Sequence, residues 1–245
     1  MTDSARFGWT VLLPVKVLAH AKSRLAALAG DRRRELALAL ASDTVAAVLA
    51  CPEVAQVVVI TSDPVAGPLL AALGAVVVPD EPADRQASRG NRGAPDDADV
   101  AEVLGNLGVQ DALNAALRHG AAVAARRWPG TGLAALAADL PAVSPAELAA
   151  ALRAAAAVSG RAAFVPDAAG VGTTLYAVPP GGQFRPLFGG ASRARHAAAG
   201  ATELDLDDMT GLRRDVDTAD DLREALTLGA GPRTTALAAE LLADA

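Results

Sequence analysis

Three basic residues follow the first apolar stretch of the sequence. The stretch at 10–15 is predicted to be a buried strand, and Lys16, Lys22 and Arg24 come after it, before the next helical pattern begins. In open α/β sheets, ligands bind beyond the carboxyl ends of the strands. The loop here lacks the glycine patterns of a P-loop or a dinucleotide fold, so we predict that these side chains bind phosphate directly. The alternative is that they only solvate a surface loop.

Acidic side chains stand after two later stretches. Asp139 follows the apolar run GLAALA, and Asp215 and Asp217 belong to DVDT, which we interpret as a strand end that leads into a helix capped by Thr218. Carboxylate oxygens are the ligands that Mg²⁺ prefers, so Asp139 and Asp217 are candidates to hold this ion, with Asp215 sharing it. Locally, Asp139 could equally be a turn residue before Pro141, and Asp217 an acid at a helix start.

Two further stretches, GTTL at 172–175 and FGGAS at 188–192, combine glycine with hydroxyl side chains. Thr173, Thr174, Gly189 and Ser192 offer hydroxyls, close backbone approach and the first amides of a short helix, which suit a carboxylate or phosphate. A hairpin turn and an ordinary helix cap are the local alternatives. The histidines have no metal-binding spacing and are interpreted as surface or packing residues, the last also as a distant pocket candidate: His20, His119 and His196.

Short runs of valine, isoleucine and leucine alternate with longer helical patterns, which is typical of a mostly parallel sheet covered by helices on both faces. Strands are predicted at 10–15, 56–63, 75–81 and 132–141, with a hairpin at 162–167 and 172–178 that makes the sheet mixed. Helix starts are marked by capping residues. The predicted helices are 31–50 capped by Asp31, 106–126, one with a capping box from Ser144 to Glu147, 192–200, and one capped by Thr218.

Composition excludes several classes of protein. The 245 residues, 52% of them hydrophobic, suit a single domain over 1–245 with a full core. Cys51 is the one cysteine, which fits a reducing cytoplasm and excludes an intrachain disulfide. A net charge of −6 argues against nucleic-acid binding, and we expect neither a signal peptide nor a membrane span.

The segment 82–99 interrupts the alternating pattern. It is polar, rich in glycine, proline and charge, and has no apolar period, so we predict a mobile loop. The functional alternative is a lid in which Arg85, Arg89 and Arg92 close over a bound nucleotide.

Six short pieces occur in the order and approximate spacing of one family: LPVK, AKSRL, AADLP, GTTL, FGGAS and DVDT. The chain resembles the CofC/FbiD guanylyltransferases, which activate a small phosphorylated three-carbon acid in the biosynthesis of a deazaflavin coenzyme. The resemblance extends from Thr10 to Leu226 and excludes the loop at 82–99. PVK and AKSRL replace the glycine-rich turn of the wider superfamily, and this favours the family over its molybdopterin and isoprenoid relatives. Ala219 departs from the proline that commonly follows DVDT.

The resemblance implies a Rossmann-like nucleotidyltransferase fold, similar to glycosyltransferase A, and transfer of GMP from GTP to phosphoenolpyruvate or 2-phospholactate with release of pyrophosphate. It implies Mg²⁺ as cofactor, and a downstream transferase as a partner for the product. The implied catalytic residues are Lys16, Lys22 and Arg24. The implied nucleotide contacts add Ser23 and Asn114. The implied acceptor contacts are Thr173, Thr174, Gly189 and Ser192, and the implied metal ligands are Asp139, Asp215 and Asp217.

Two alternatives stay open. The chain could be a nucleotidyltransferase for another phosphorylated acceptor, or a nucleotide-binding regulator without turnover. Pyrophosphate release with GTP and each candidate acid separates these functions.

Overall fold

A computed structural model describes residues 7–16, 18, 22–80, 98–158, 160–206 and 208–243, and for residue 23 and residues 98–109 it describes the backbone only. The predicted loop at 82–99, with its three arginines, lies outside these residues except for 98 and 99, which are helical. None of the helices in the described ranges is both long and apolar enough to cross a bilayer.

Seven strands form one mixed sheet in the order β3-β2-β1-β4-β6-β5-β7. The first four run parallel to one another, β6 is antiparallel to both β4 and β5, and β7 is parallel to β5. The α/β fold and the predicted hairpin are therefore confirmed. The strands are β1 (Trp9–Pro14), β2 (Val54–Ile60), β3 (Val76–Val78), β4 (Gly132–Leu136), β5 (Ala163–Pro166), β6 (Thr173–Val178) and β7 (Thr202–Glu203).

Nine α-helices lie in the described residues: α1 (Ala26–Ala29), α2 (Arg33–Leu49), α3 (Ala66–Ala72), α4 (Ala98–Arg127), α5 (Pro145–Ala157), α6 (Ser192–Ala198), α7 (Thr210–Arg213), α8 (Ala219–Leu228) and α9 (Pro232–Ala243). Side chains alternate across β1, so that Val11 and Leu13 pack with α2 and α5 on one face. Leu12 packs with α4 on the other face. Both faces of the sheet are therefore covered.

The predicted capping box at Ser144 and the predicted helix cap at Thr218 are confirmed, and the second is also a capping box. The Ser144 hydroxyl accepts from the Glu147 N–H, and the Glu147 carboxylate accepts from the Ser144 N–H at 2.8 Å. Thr218 and Asp221 make the same reciprocal pair at the start of α8. Each box satisfies backbone donors that a helix start leaves unpaired.

Two predicted helix starts are wrong. Asp31 does not cap α2, because it lies in a 3-10 turn at Gly30–Arg32 that follows α1, and the Arg33 N–H donates to the Gly30 carbonyl there. The long helix α4 begins at Ala98 rather than at 106. Val100, Val103 and Leu104 have the i, i+3, i+4 spacing of an amphipathic helix, a signal for the earlier start that the sequence interpretation did not use.

The predicted strand end at DVDT is also wrong. Residues 214–217 belong to no strand, and the Val216 N–H instead donates to the carbonyl of Asp139 at 3.1 Å. This bond holds the DVDT segment against the chain that leaves β4. Asp217 therefore reaches the end of the sheet on a loop rather than on a strand.

Candidate active site

The candidate site lies beyond the carboxyl ends of β1 and β4. These strands are parallel neighbours, so the chain that leaves β1 towards Lys16 and the chain that leaves β4 towards Asp139 emerge at the same edge. On α2, the Thr44 hydroxyl accepts from the Leu140 N–H at 3.0 Å and thereby fixes the backbone next to Asp139. Tertiary contacts thus bring together residues that are far apart in the sequence.

A cleft of about 530 Å³ opens at this edge. Part of its lining is apolar and comes from α4 and from Phe188. Gly189 contributes backbone to the wall beside Phe188. All six predicted charged residues line the cleft: Lys16, Lys22, Arg24, Asp139, Asp215 and Asp217.

The Lys22 ammonium connects two of the carboxylates. It donates to Asp139 and to Oδ1 of Asp217, the second at 2.8 Å. Burial by itself lowers the pKa of Lys22, but the two negative charges outweigh it and raise the pKa above its ordinary value. Lys22 has a φ of 54°, in the left-handed region that non-glycine residues seldom adopt. The predicted contact of this lysine with a triphosphate stays a prediction.

Replacement of Lys22 by methionine is expected to lower the free energy of unfolding by about 1–2 kcal/mol, because two carboxylates would lose their shared cation. The loss of stability should be smaller than for a fully buried ion pair, because the Asp217 side chain is 52% exposed. Thermal unfolding in the presence of a chelator measures the change. Arg153→Met, which removes an exposed ion pair with Glu53, is the matched control and should have a smaller effect. Equal unfolding temperatures for Lys22→Met and wild type would contradict the assigned role.

Lys16 and Arg24 are exposed at the rim of the cleft. Burial raises the pKa of Asp217, but Lys22, Arg24 and Lys16 outweigh it, and the pKa lies below its ordinary value. These two rim cations are therefore close enough to act on a negative charge in the cleft. The side chain of Ser23, between Lys22 and Arg24, is not described, and its nucleotide contact stays a prediction.

Asp215 is the third carboxyl group of the site. Burial raises its pKa to about 7, and the charges of Asp139, Asp217 and Asp167 add to the effect. Among the described residues, no three acidic, histidine or cysteine side chains converge closely enough to hold a metal ion together. The prediction that Asp139, Asp215 and Asp217 hold a metal together stays a prediction, and in the structure Asp139 and Asp217 share the Lys22 ammonium.

The predicted acceptor residues occupy different positions relative to the cleft. Gly189 lines it, with a φ of 96° that favours glycine. Thr173, Thr174 and Ser192 are buried, and they do not line the cleft as the structure describes it. The Thr174 hydroxyl is buried without a hydrogen-bond partner among the described residues, which is unusual for a native polar group.

Asn114 was predicted to contact the nucleotide, but its side chain binds protein backbone. Oδ1 accepts from the Phe188 N–H at 2.9 Å, and Nδ2 donates to the Phe188 carbonyl at 3.0 Å and to the Gln110 carbonyl at 2.9 Å. The residue is buried on α4. Its contact with nucleotide therefore stays a prediction, while its contact with Phe188 is a feature of the fold.

His196 is a buried packing residue, as one of the sequence interpretations has it. Its Nε2 accepts from the Leu187 N–H at 2.9 Å, so the neutral ring carries its proton on Nδ1, which lies 3.0 Å from the Thr173 hydroxyl. The ring stacks on Tyr176 with centroids 4.6 Å apart. Burial, with the nearby Arg195 charge, lowers the pKa of His196 to about 4. His119 is half-buried on α4, and His20 lies outside the described residues.

The low pKa of His196 predicts a pH dependence of stability. In the unfolded chain His196 takes up a proton near pH 6.5, whereas in the folded chain it does so only near pH 4. The stability contributed by the neutral His196 is therefore fully present above pH 6.5 and is lost as pH falls towards 4. The slope contributed by this residue is at most about 1.4 kcal/mol per pH unit. Denaturant unfolding of wild type and His196→Gln between pH 7 and pH 4 isolates this contribution. Parallel curves would contradict it.

Asp63 is a positioning residue that the sequence interpretation placed inside a strand. Its carboxylate accepts from the Leu18 N–H at 2.8 Å and from the Val65 and Ala66 N–H groups at the start of α3. Asp63 thus anchors the loop that follows β1 and carries Lys16. An aspartate two or three residues before a helix is a local signal for such a turn, and it could have identified the helix contacts but not the contact with Leu18.

Two solved structures with a similar fold are named as a nucleotidyl transferase and a nucleotide-diphospho-sugar transferase. A nucleotidyl transferase from Methanothermobacter thermautotrophicus aligns with 91% of this chain and 97% of its own, with a TM-score of 0.52 and 18% identity. A nucleotide-diphospho-sugar transferase from Desulfovibrio desulfuricans aligns with 90% of this chain and 96% of its own, with a TM-score of 0.55 and 16% identity. At these identities the likeness concerns the fold, and the predicted nucleotidyltransferase fold is confirmed.

Relatives at higher identity share nearly the whole chain, although no protein-family model matches it. The phosphoenolpyruvate guanylyltransferase of Thermomonospora curvata is 52% identical over 240 residues, covering 98% of this chain and 92% of the relative. The enzyme of the same name from Streptomyces coelicolor is 54% identical over 235 residues, covering 96% of this chain and 97% of the relative. With this identity over nearly full length, and with the charged cleft described above, the chain belongs to the phosphoenolpyruvate guanylyltransferase family.

Proposed function

We propose that this chain transfers GMP from GTP to phosphoenolpyruvate and releases pyrophosphate. The observation that carries the proposal is the cleft beyond β1 and β4, which exposed cations and a pair of carboxylates line together with Gly189. The names of the relatives support the choice of nucleotide and acceptor.

In the proposed reaction, a phosphate oxygen of phosphoenolpyruvate attacks the α-phosphorus of GTP. The new P–O bond forms as the bond from the α-phosphorus to the bridging oxygen breaks, and pyrophosphate leaves with that oxygen and its electron pair. Both substrates are anions, so their approach must be compensated by positive charge and fixed orientation. Lys16 supplies a point charge and Arg24 a planar fork at the rim of the cleft.

Mg²⁺ is the proposed cofactor, and Asp139 and Asp217 would hold it. The two carboxylates fit this role because they already share the Lys22 ammonium, and Mg²⁺ is commonly held by one or two carboxylates together with substrate phosphates. When bound, the ion supplies positive charge to the phosphate oxygens. Asp215, whose carboxyl lies beside the pair, is proposed to share the site.

On the acceptor side, the proposal keeps Gly189, Thr173, Thr174 and Ser192 as the residues that bind the three-carbon acid. Gly189 brings its backbone to the cleft, and the unpartnered Thr174 hydroxyl supports a polar ligand nearby. The proposal includes a cytoplasmic location, consistent with the buried free thiol of Cys51, and a downstream transferase that consumes the product.

The test is pyrophosphate release with GTP and Mg²⁺ for three acids: phosphoenolpyruvate, 2-phospholactate and 3-phosphoglycerate. We expect the highest kcat/KM with phosphoenolpyruvate and lower turnover with 2-phospholactate. These two acids differ mainly in geometry at C2, and a difference of this size changes kcat/KM by roughly 10–200-fold. Product masses and replacement of GTP by CTP complete the panel. Higher kcat/KM with another acid would change the acceptor, and no turnover with any pair would favour a nucleotide-binding regulator.

A further inference from the structure

The wall of the cleft at Leu187–Gly190 is held in an unusual way. The segment belongs to no strand or helix, and Gly189 and Gly190 both have positive φ values, of 96° and 46°. Within the described residues, the backbone hydrogen bonds of Leu187, Phe188 and Gly189 are made with side chains rather than with a neighbouring strand. The position of Gly189 therefore depends on a few side chains.

Asn114 holds this segment from the side of α4. Its amide makes both possible backbone bonds to Phe188, accepting from the N–H and donating to the carbonyl. Such a pair reproduces one rung of a β ladder, and it fixes both the distance and the orientation of the peptide. Gln110, one turn earlier on α4, lies directly under Gly189, since a Cβ built there would fall 2.5 Å from the Gln110 Cγ.

His196 and Arg195 hold the same segment from the side of α6. His196 accepts from the Leu187 N–H while its other nitrogen contacts Thr173 at the start of β6. Arg195 donates to the carbonyls of Phe188 and Gly189. The segment is thus bound directly to α4 and α6, and through His196 to β6. None of these bonds comes from the loop that carries Lys16.

We propose that Asn114 and His196 are positioning residues for the phosphorylated acid, because they fix the Gly189 wall of the cleft against α4 and β6. The inference rests on the proposed function. It assigns Asn114 to the acceptor side of the cleft, although the residue lies on α4 and was predicted to contact the nucleotide. Loss of the Asn114 side chain would leave the buried Phe188 N–H unpaired and its carbonyl with the Arg195 donor alone, and would let Gly189 shift, while the rim cations would keep their places.

The experiment measures steady-state kinetics of Asn114→Ala with GTP and phosphoenolpyruvate varied separately. We expect the KM for phosphoenolpyruvate to rise about 10-fold or more, the size of effect that follows loss of a buried hydrogen-bonded partner. The KM for GTP should stay within about 2-fold. His196→Ala should also raise the KM for phosphoenolpyruvate. The rise should be smaller in His196→Gln, because the glutamine oxygen can still accept from the Leu187 N–H. Arg118→Ala, exposed one turn further along α4, is the matched control.

Hydrogen exchange gives a readout that does not need turnover. In Asn114→Ala, peptides that cover 184–190 should exchange faster than in wild type, while peptides from β6 should be unchanged. Unchanged exchange at 184–190 would overturn the inference, and so would an equal rise of both KM values or a rise for GTP alone. If wild type forms no product with phosphoenolpyruvate, the proposed function is wrong. The positioning role is then judged by hydrogen exchange alone, and it is wrong if exchange at 184–190 is unchanged in Asn114→Ala.

Discussion

Replacement of Asp139 by asparagine is expected to lower kcat for GMP transfer by about 10²-fold or more and to leave the fold intact. The amide keeps the size of the side chain but removes the negative charge that a hard dication requires. The neighbouring backbone contacts, from Val216 to the Asp139 carbonyl and from Leu140 to Thr44, do not involve the carboxylate. The measurement is pyrophosphate release with GTP, phosphoenolpyruvate and Mg²⁺.

Two controls accompany this variant. Asp31→Asn changes an exposed aspartate that caps no helix, and it should keep wild-type turnover. Chelation of divalent ions should abolish turnover of the wild-type enzyme, and added Mg²⁺ or Mn²⁺ should restore it. Undiminished activity of the chelated enzyme would refute the metal assignment, whatever the effect of Asp139→Asn.

Replacement of Arg24 by alanine is expected to cost about 10²-fold in kcat/KM, and Lys16→Ala a similar factor. Both side chains are exposed at the rim of the cleft and act on the charge of Asp217, so each is placed to meet a phosphate. Loss of one preorganised contact to developing charge typically has an effect of this size. Arg24→Lys should retain part of the activity, because it keeps the charge and loses the planar fork.

Thermal unfolding separates this effect from misfolding. Because Lys16 and Arg24 are exposed, the unfolding temperatures of their alanine variants should stay close to that of wild type. Arg126→Ala, an exposed arginine at the end of α4, is the control for a general change in charge. Turnover like that of wild type in Arg24→Ala would mean that the basic loop only solvates the surface.

Local sequence was sufficient wherever the decisive bonds join residues close in the chain. The capping boxes at Ser144 and Thr218 each close over three residues, and the alternation of apolar runs with helical patterns follows from burial on one or both faces. Asp31 shows the limit of this reasoning. Its residue type suits a cap, but Asp31 lies inside the 3-10 turn at Gly30–Arg32, where the Gly30 carbonyl accepts from the Arg33 N–H.

The same limit applies to the prediction of the site residues. Residue type and position after a strand were enough to select Lys16, Arg24 and Asp139 as candidates, and the cleft contains all three. They were not enough to find that Lys22 binds Asp217 across 195 residues or that Asn114 binds the backbone of Phe188 across 74 residues. Lysine and asparagine have many possible partners, and local sequence contains no information on which partner the fold brings near.

Hydrophobic periodicity, capping and strand direction act over a few residues, so the sequence indicated most of the strands and helices, though not α9, and the charges that gather at the carboxyl edge of the sheet. Which side chains face the cleft and which hold its walls depends on tertiary packing. DVDT illustrates the difference: its acids were identifiable as candidates, but their place beside Asp139 depends on a backbone bond from Val216 that forms only when the sheet and the last loops have packed together.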